Sequence, residues 1–223
     1  MQIFPFAFIS YTMNLARLFQ ACLSIPYEKT GVSANFKAVR QGETLYLFFE
    51  DSDGKTDWKN NLDFPAKAYK RMGKTAWYAH RGFLRVWKEI EPELVGEIAD
   101  RSVKKIVCAG YSHGGALALL CHEYCFYHRP ELRSDLEGYG FGCPRVLWGR
   151  KRKEVLNRFE KFTVIRNLDD IVTHLPPAIL GYYHVGTLLT IGKKGSYSPT
   201  AAHFAENILT ELTEYERKKK RRD

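Results

Sequence analysis

Gly110-Tyr111-Ser112-His113-Gly114-Gly115 is the segment of this chain whose residue types and spacing point most directly to chemistry. The apolar run Lys105-Ile106-Val107-Cys108-Ala109 leads into it and Gly114-Gly115-Ala116 follows, a pattern that fits a sharp strand-to-helix turn. Such a turn exposes the serine hydroxyl. Side chains larger than glycine two positions away would strike the adjoining strand and helix. The amide after the serine, that of His113, then sits at a helix N-terminus, suited to an oxyanion that develops during attack. Glycines also permit close strand–helix packing without any chemistry, but the flanking strand and helix favour a nucleophile.

A serine hydroxyl is a weak nucleophile and needs a base, which an acid must orient. On an elbow of this kind the chain order is serine, acid, histidine. The histidines from the serine onward are His113, His122, His128, His174, His184 and His203. The first three lie on the elbow helix or just after it, too early in that order. Residues 162–166, Phe-Thr-Val-Ile-Arg, read as a strand, and Asn167-Leu168-Asp169-Asp170 follow it. Asp169 or Asp170 is therefore the acid by position. The residues alone leave that choice open, as they do the choice between His184 and His203.

The elements that must hold these groups can be read from periodicity. Leu15, Leu18, Phe19, Cys22 and Leu23 predict an amphipathic helix over 11–24, ended by Pro26. Runs at 36–40 and 44–49 predict a hairpin about Gln41-Gly42-Glu43. Residues 50–61 are polar and turn-rich. A helix is expected over 83–100, with Pro92 marking a kink or break. Residues 105–109 suit a buried parallel strand. There follow a helix at 113–127, a strand at 136–141, a helix at 151–158, strands at 162–166 and 185–191, and an amphipathic helix over 201–216. Strands alternating with helices imply an α/β fold with a mainly parallel central sheet flanked by helices. One domain over 1–215 with a basic tail at 216–223 is expected.

The 223 residues suffice for a sizeable core, and 45% hydrophobic with 26% charged residues is ordinary globular composition. A net charge of +9 favours anionic partners. The run Arg217-Lys218-Lys219-Lys220-Arg221-Arg222 reads first as a frayed, solvated tail and second as a contact for anionic lipid headgroups. With no recognised nucleic-acid motif beside the charge, nucleic acid is not expected. Five cysteines, at 22, 108, 121, 125 and 143, form no framework, and the apolar N-terminus lacks a basic n-region. The expectation is a reduced, cytoplasmic setting. Cys121, Cys125 and His128 share one helix face and could hold zinc, but no fourth ligand is evident; small buried hydrophobes are the better reading, so no metal and no cofactor are expected.

Several segments together resemble the class 3 lipases, the fungal-lipase-like branch of the α/β-hydrolases. Phe49-Glu50-Asp51-Ser52 is similar to the family's F-R-G-T/S, with Glu50 and Asp51 in place of Arg and Gly. Asp57-Trp58-Lys59-Asn60-Asn61-Leu62 resembles D/N-W-x-x-D/N-L, and His80-Arg81-Gly82-Phe83 matches H-x-G-F. Phe141-Gly142-Cys143-Pro144-Arg145-Val146, Asp170-Ile171-Val172-Thr173-His174-Leu175-Pro176-Pro177 and His184-Val185-Gly186 follow in family order. The resemblance implies Asp170 as acid and His203 as base, although many members carry Asp-His where this chain has Ala202-His203. It implies Ser52 as an oxyanion donor beside the His113 amide, and structural roles for His80 and His184. His174 is either a pocket-lining or an exposed loop residue.

The implied activity is hydrolysis of carboxylic esters, acylglycerols or short-to-medium acyl esters, through a Ser-His-Asp triad and an acyl-enzyme. A phospholipase acting on anionic lipids is the alternative within that chemistry. A catalytically silent hydrolase-fold binding protein is the alternative outside it. Family lids follow the oxyanion serine; here that stretch, residues 55–70, has only a narrow apolar face with Trp58 and Leu62 at helical spacing. Weak interfacial activation and good activity on soluble esters are expected.

Overall fold

The computed structural model describes residues 14–28, 34–51, 65–71 and 74–221. Its backbone is a six-stranded sheet in the order β1-β2-β5-β6-β8-β10. These strands are β1 (Phe36–Gln41), β2 (Thr44–Phe49), β5 (Lys105–Tyr111), β6 (Leu136–Phe141), β8 (Phe162–Asn167) and β10 (Thr187–Ile191). Only β1 runs antiparallel to its neighbour; the β2–β5, β5–β6, β6–β8 and β8–β10 pairs are parallel. A mainly parallel sheet flanked by helices is thus what the alternating pattern builds.

Strand alternation divides the core into two layers. Leu45, Leu47 and Phe49 of β2 and Ile106 and Cys108 of β5 face one side. There they meet Phe83, Trp87, Ile90 and Leu94 of helix α2 (Arg81–Ala99) and Leu117, Leu120 and Cys121 of helix α3 (His113–His128). Phe48 and Ala109 face the other side, against Leu18 and Phe19 of α1 (Leu15–Ser24) and Ile208 and Leu212 of α5 (Ala205–Lys219). α3 is buried on nearly every side, which is why its sequence is apolar all round rather than amphipathic.

Several expectations are modified. α2 is assigned without interruption through Pro92, because proline sits on the exposed side while Ile90, Leu94 and Ile98 keep the opposite face packed. The 151–158 helix shrinks to α4 (Lys153–Leu156) and a 3-10 turn at Asn157–Phe159. The 201–216 helix divides into a 3-10 turn, Ala201–His203, and α5, since Phe204 is extended at ψ 137°. α5 also runs beyond the expected domain limit: Arg217 and Lys218 are helical and pair with Glu214, so the basic run does not begin as a frayed tail.

A second, four-stranded sheet was not foreseen. It joins β3 (Ala66–Arg71), β4 (Lys74–His80), β7 (Leu147–Trp148) and β9 (Tyr182–Tyr183) in antiparallel pairs. Residues 52–64 lie outside the described residues, and with them the Trp58–Leu62 spacing and most of the expected lid; the described part, from Ala66 on, is strand. No helix among the described residues is long and apolar enough to cross a membrane.

Candidate active site

β5 ends at the turn that carries Ser112, the expected nucleophile. Ser112 adopts φ 51° and is the only non-glycine residue with positive φ among the described residues. The surroundings hold it there. Its amide donates to the Phe141 carbonyl at 2.8 Å, and α3 starts at the next residue. The two glycines of the motif are required sterically: a Cβ on Gly110 would lie 2.2 Å from the Gly114 carbonyl oxygen, and one on Gly114 would lie 2.2 Å from that of Phe49. The second clash presses the elbow against the C-terminal end of β2, where the chain leaves towards Asp51. Ser52, the expected oxyanion donor, lies outside the described residues.

His113 occupies the first position of α3, so its amide has no intrahelical acceptor. Its side chain turns inward against Phe83, with ring centroids 5.5 Å apart, and Nε2 has no hydrogen-bond partner among the described residues. Burial, with a smaller contribution from nearby His80, pushes this imidazole down to about 4, and it is neutral at pH 7. The backbone, not the ring, is the part of His113 available to a reacting carbonyl.

The structure brings Ser112, His203 and Asp170 into one hydrogen-bonded line. Ser112 Oγ lies 2.9 Å from His203 Nε2, and His203 Nδ1 lies 2.9 Å from Asp170 Oδ2. Asp170 is fully buried. Its other oxygen accepts the Val172 amide at 2.9 Å, so the carboxylate is fixed from both ends. Neighbouring Asp169 points elsewhere and accepts the Gly195 amide at 2.6 Å. One step along the turn therefore separates a carboxylate that faces an imidazole from one that closes a loop.

The remaining histidines do other work. His184 donates through Nε2 to the Thr173 carbonyl, within the acid loop. His80 caps α2, accepting the Phe83 amide at 3.4 Å, and stacks on that ring. His174 is exposed. His128 bonds its own helix through Tyr124 and does not join Cys121 and Cys125. The sulfur atom that does join them belongs to Cys108 of β5; the three ligand atoms lie within 4.8 Å of one another, all buried. Burial raises the Cys108 and Cys121 thiols far above their usual range, whereas at Cys125 burial is outweighed by hydrogen bonds from those two, which hold the thiol well below it. Strand alternation two residues before Gly110 is the signal that would have included Cys108 in the group.

Periodicity also missed the residues that hold the imidazole. The Asn207 amide donates to the Ala201 carbonyl at 2.8 Å, Asn167 to that of Ala202 at 3.0 Å, and the Tyr111 hydroxyl to that of His203 at 2.5 Å. Each lies at the end of a strand or the start of a helix and carries a side chain able to donate. That position was the one sequence-level hint available.

A model of the class 3 lipase family matches residues 46–180. A lipase of Rhizomucor miehei is 34% identical over 150 residues, which are 65% of this chain and 40% of that one. A secreted mono- and diacylglycerol lipase of Fusarium solani is 26% identical over 168 residues, 72% of this chain and 48% of that one. The chain thus spans less than half the length of either relative. Among solved structures, a fungal lipase–inhibitor complex superimposes with a TM-score of 0.68 at 26% identity, covering 84% of this chain and 82% of the other. The secreted relative overturns the cytoplasmic expectation. The inference from cysteines failed for a physical reason: all five are buried and unpaired, so they pack as small hydrophobes and carry no signal of the redox compartment.

Proposed function

The chain belongs to the class 3 lipase family, with the α/β-hydrolase fold, and on that premise we propose that it hydrolyses carboxylic esters of acylglycerol type by acyl transfer. The observation that carries this reading is the continuous line from Ser112 Oγ through the His203 imidazole to Asp170. In the mechanism His203 Nε2 takes the Ser112 proton as Oγ attacks the ester carbonyl. Asp170 holds the imidazole in the tautomer that presents Nε2 as acceptor and stabilises its protonated form. The His113 amide, with Ser52, receives the oxyanion; such a donor contributes about 3 kcal/mol to the transition state. The protonated imidazole then passes its proton to the leaving alcohol, and water, activated by the same nitrogen, releases the acid. Fluorophosphonate labelling of the intact chain at Ser112, lost in Ser112→Ala, tests this. Well-folded protein that does not label sinks it. A panel from acetyl esters to triglycerides and phospholipids then sets acyl length.

A second observation supports contact with an anionic lipid surface. Tyr78 of β4 and Trp148 of β7 are exposed and pack edge to face at 5.6 Å. Trp148 Nε1 donates to the Leu180 carbonyl at 2.7 Å, which brings exposed Leu180 and Ile179 (94% accessible) to the same edge. The chain then continues through exposed Arg150, Lys151, Arg152 and Lys153, none ion-paired among the described residues. Aromatic tips beside exposed cations suit the boundary between headgroups and acyl chains, where each cation contributes about 1 kcal/mol. This edge, rather than the C-terminal run, is the better candidate for a lipid contact.

A further inference from the structure

The three carbonyls of the Ala201–His203 turn each accept a hydrogen bond from a side chain of a different element. Asn207 comes from α5, Asn167 from the end of β8, and Tyr111 from the end of β5. Tyr111 differs from the other two because it also touches the imidazole. Its ring stacks on that of His203, with centroids 5.1 Å apart and planes 27° from parallel. The ring is in turn braced from behind by fully buried Phe19 of α1, edge to face at 5.5 Å.

We infer that Tyr111 is the positioning residue for the His203 imidazole: its hydroxyl fixes the backbone that carries the ring, and its face fixes the ring's tilt towards Ser112. The inference rests on the reading of Ser112 and His203 given above. The physical need is plain. An imidazole that accepts a proton from one neighbour and donates one to another must keep both Nε2 and Nδ1 in line. A displacement of about 1 Å at such a group costs about a hundredfold in rate. Asp170 restrains only Nδ1. Rotation about the axis through that bond remains free unless something packs on the ring face, and Tyr111 is the aromatic residue stacked there.

The test compares wild type, Tyr111→Phe, Tyr111→Leu and Asn207→Ala on a soluble p-nitrophenyl ester, with fluorophosphonate labelling rates and thermal unfolding measured in parallel. Tyr111→Phe, which keeps the stack and loses the hydroxyl, is expected to lower kcat about three- to tenfold at unchanged KM. Tyr111→Leu loses both contacts and falls further. Asn207→Ala, which leaves Tyr111 in place, repeats the split between kcat and KM in milder form, and Tyr111→Met carries the test of the ring face should Tyr111→Leu fail to fold. In a His203→Ala background Tyr111→Phe makes no further difference to the residual labelling rate, because it acts only through His203. Wild-type kcat in Tyr111→Phe overturns the role of the hydroxyl, wild-type kcat in Tyr111→Leu overturns that of the ring face, and an equal loss in both backgrounds overturns the whole inference, each while leaving Ser112 as nucleophile. A wild-type protein that never labels removes both.

Discussion

His184 Nε2 donates to the Thr173 carbonyl at 2.7 Å, tying the chain just after β9 to the loop that follows Asp170. The Thr173 hydroxyl in turn donates to the Asp170 carbonyl at 2.8 Å, so the histidine braces the acid's own backbone through one intermediate residue. Burial pushes His184 down to about 4. At neutral pH its single N–H is therefore committed to Thr173. Replacing His184 with leucine is expected to lower kcat about three- to tenfold at similar KM, the share of one hydrogen bond. Glutamine, whose amide reaches the same carbonyl, should restore part of it. Steady-state kinetics of the two variants check this.

His122 is fully buried between Phe159 and Phe162, and neither ring nitrogen has a hydrogen-bond partner among the described residues. Burial pushes it down to about 3. The unfolded chain thus binds a proton here near pH 6.5 that the folded chain refuses, and stability falls as pH drops from 6.5 towards 3. At pH 4.5 this one group costs roughly 2–3 kcal/mol relative to pH 7.5. Thermal unfolding of wild type and His122→Leu across that range should show a shallower acid loss in the variant. Parallel curves would assign the acid sensitivity to other groups.

The positive φ of Ser112 is a local strain that glycine does not feel. Ser112→Gly should raise stability by about 1–2 kcal/mol, or several degrees in Tm, while abolishing labelling. Ser112→Ala should abolish labelling without that gain, because alanine keeps the Cβ. Calorimetry of the two inactive variants separates backbone strain from loss of the hydroxyl.

Charge reversal at Arg150 and Lys151 combined with Trp148→Ser should weaken sedimentation with phosphatidylserine vesicles by at least about tenfold. Hydrolysis of a soluble ester should remain at the wild-type rate. Wild-type binding should also weaken as salt rises, since these cations are exposed and screened. Vesicle binding indifferent to both changes would place the lipid contact elsewhere.

The elbow was legible in sequence because its constraints are local. Gly110 and Ser112 answer to a clash and a dihedral within the turn itself, and Gly114, which answers to the Phe49 carbonyl of β2, falls at the fixed spacing of the same motif. The layering of the parallel sheet was legible because strands buried on both faces read as continuous apolar runs. The choice between Asp169 and Asp170 was not, since it depends on which way a turn rotates after β8, and residues far along the chain, Gly195 and His203, receive the two carboxylates. β3 and β4 escaped for another reason. Ala-Lys-Ala-Tyr-Lys-Arg has little intrinsic strand preference, and pairing with the opposite strand and with β7 supplies what propensity lacks. The 201–216 pattern was truly helical; the tertiary demand for a turn at His203 removed its first residues.

The clamp on the Ala201–His203 turn has a consequence for how this architecture can change. Because the pose of the histidine is also set from β5, β8 and α5, the exposed stretch 193–196 carries little of that duty, unlike Ser198 and Thr200, whose carbonyls take the Ala202 and His203 amides. Insertions or deletions in that exposed stretch can remodel the neighbourhood of the catalytic line without retuning it. The most variable stretch of such a chain can therefore sit next to its least tolerant atom, which gives new substrate preferences an inexpensive route to appear.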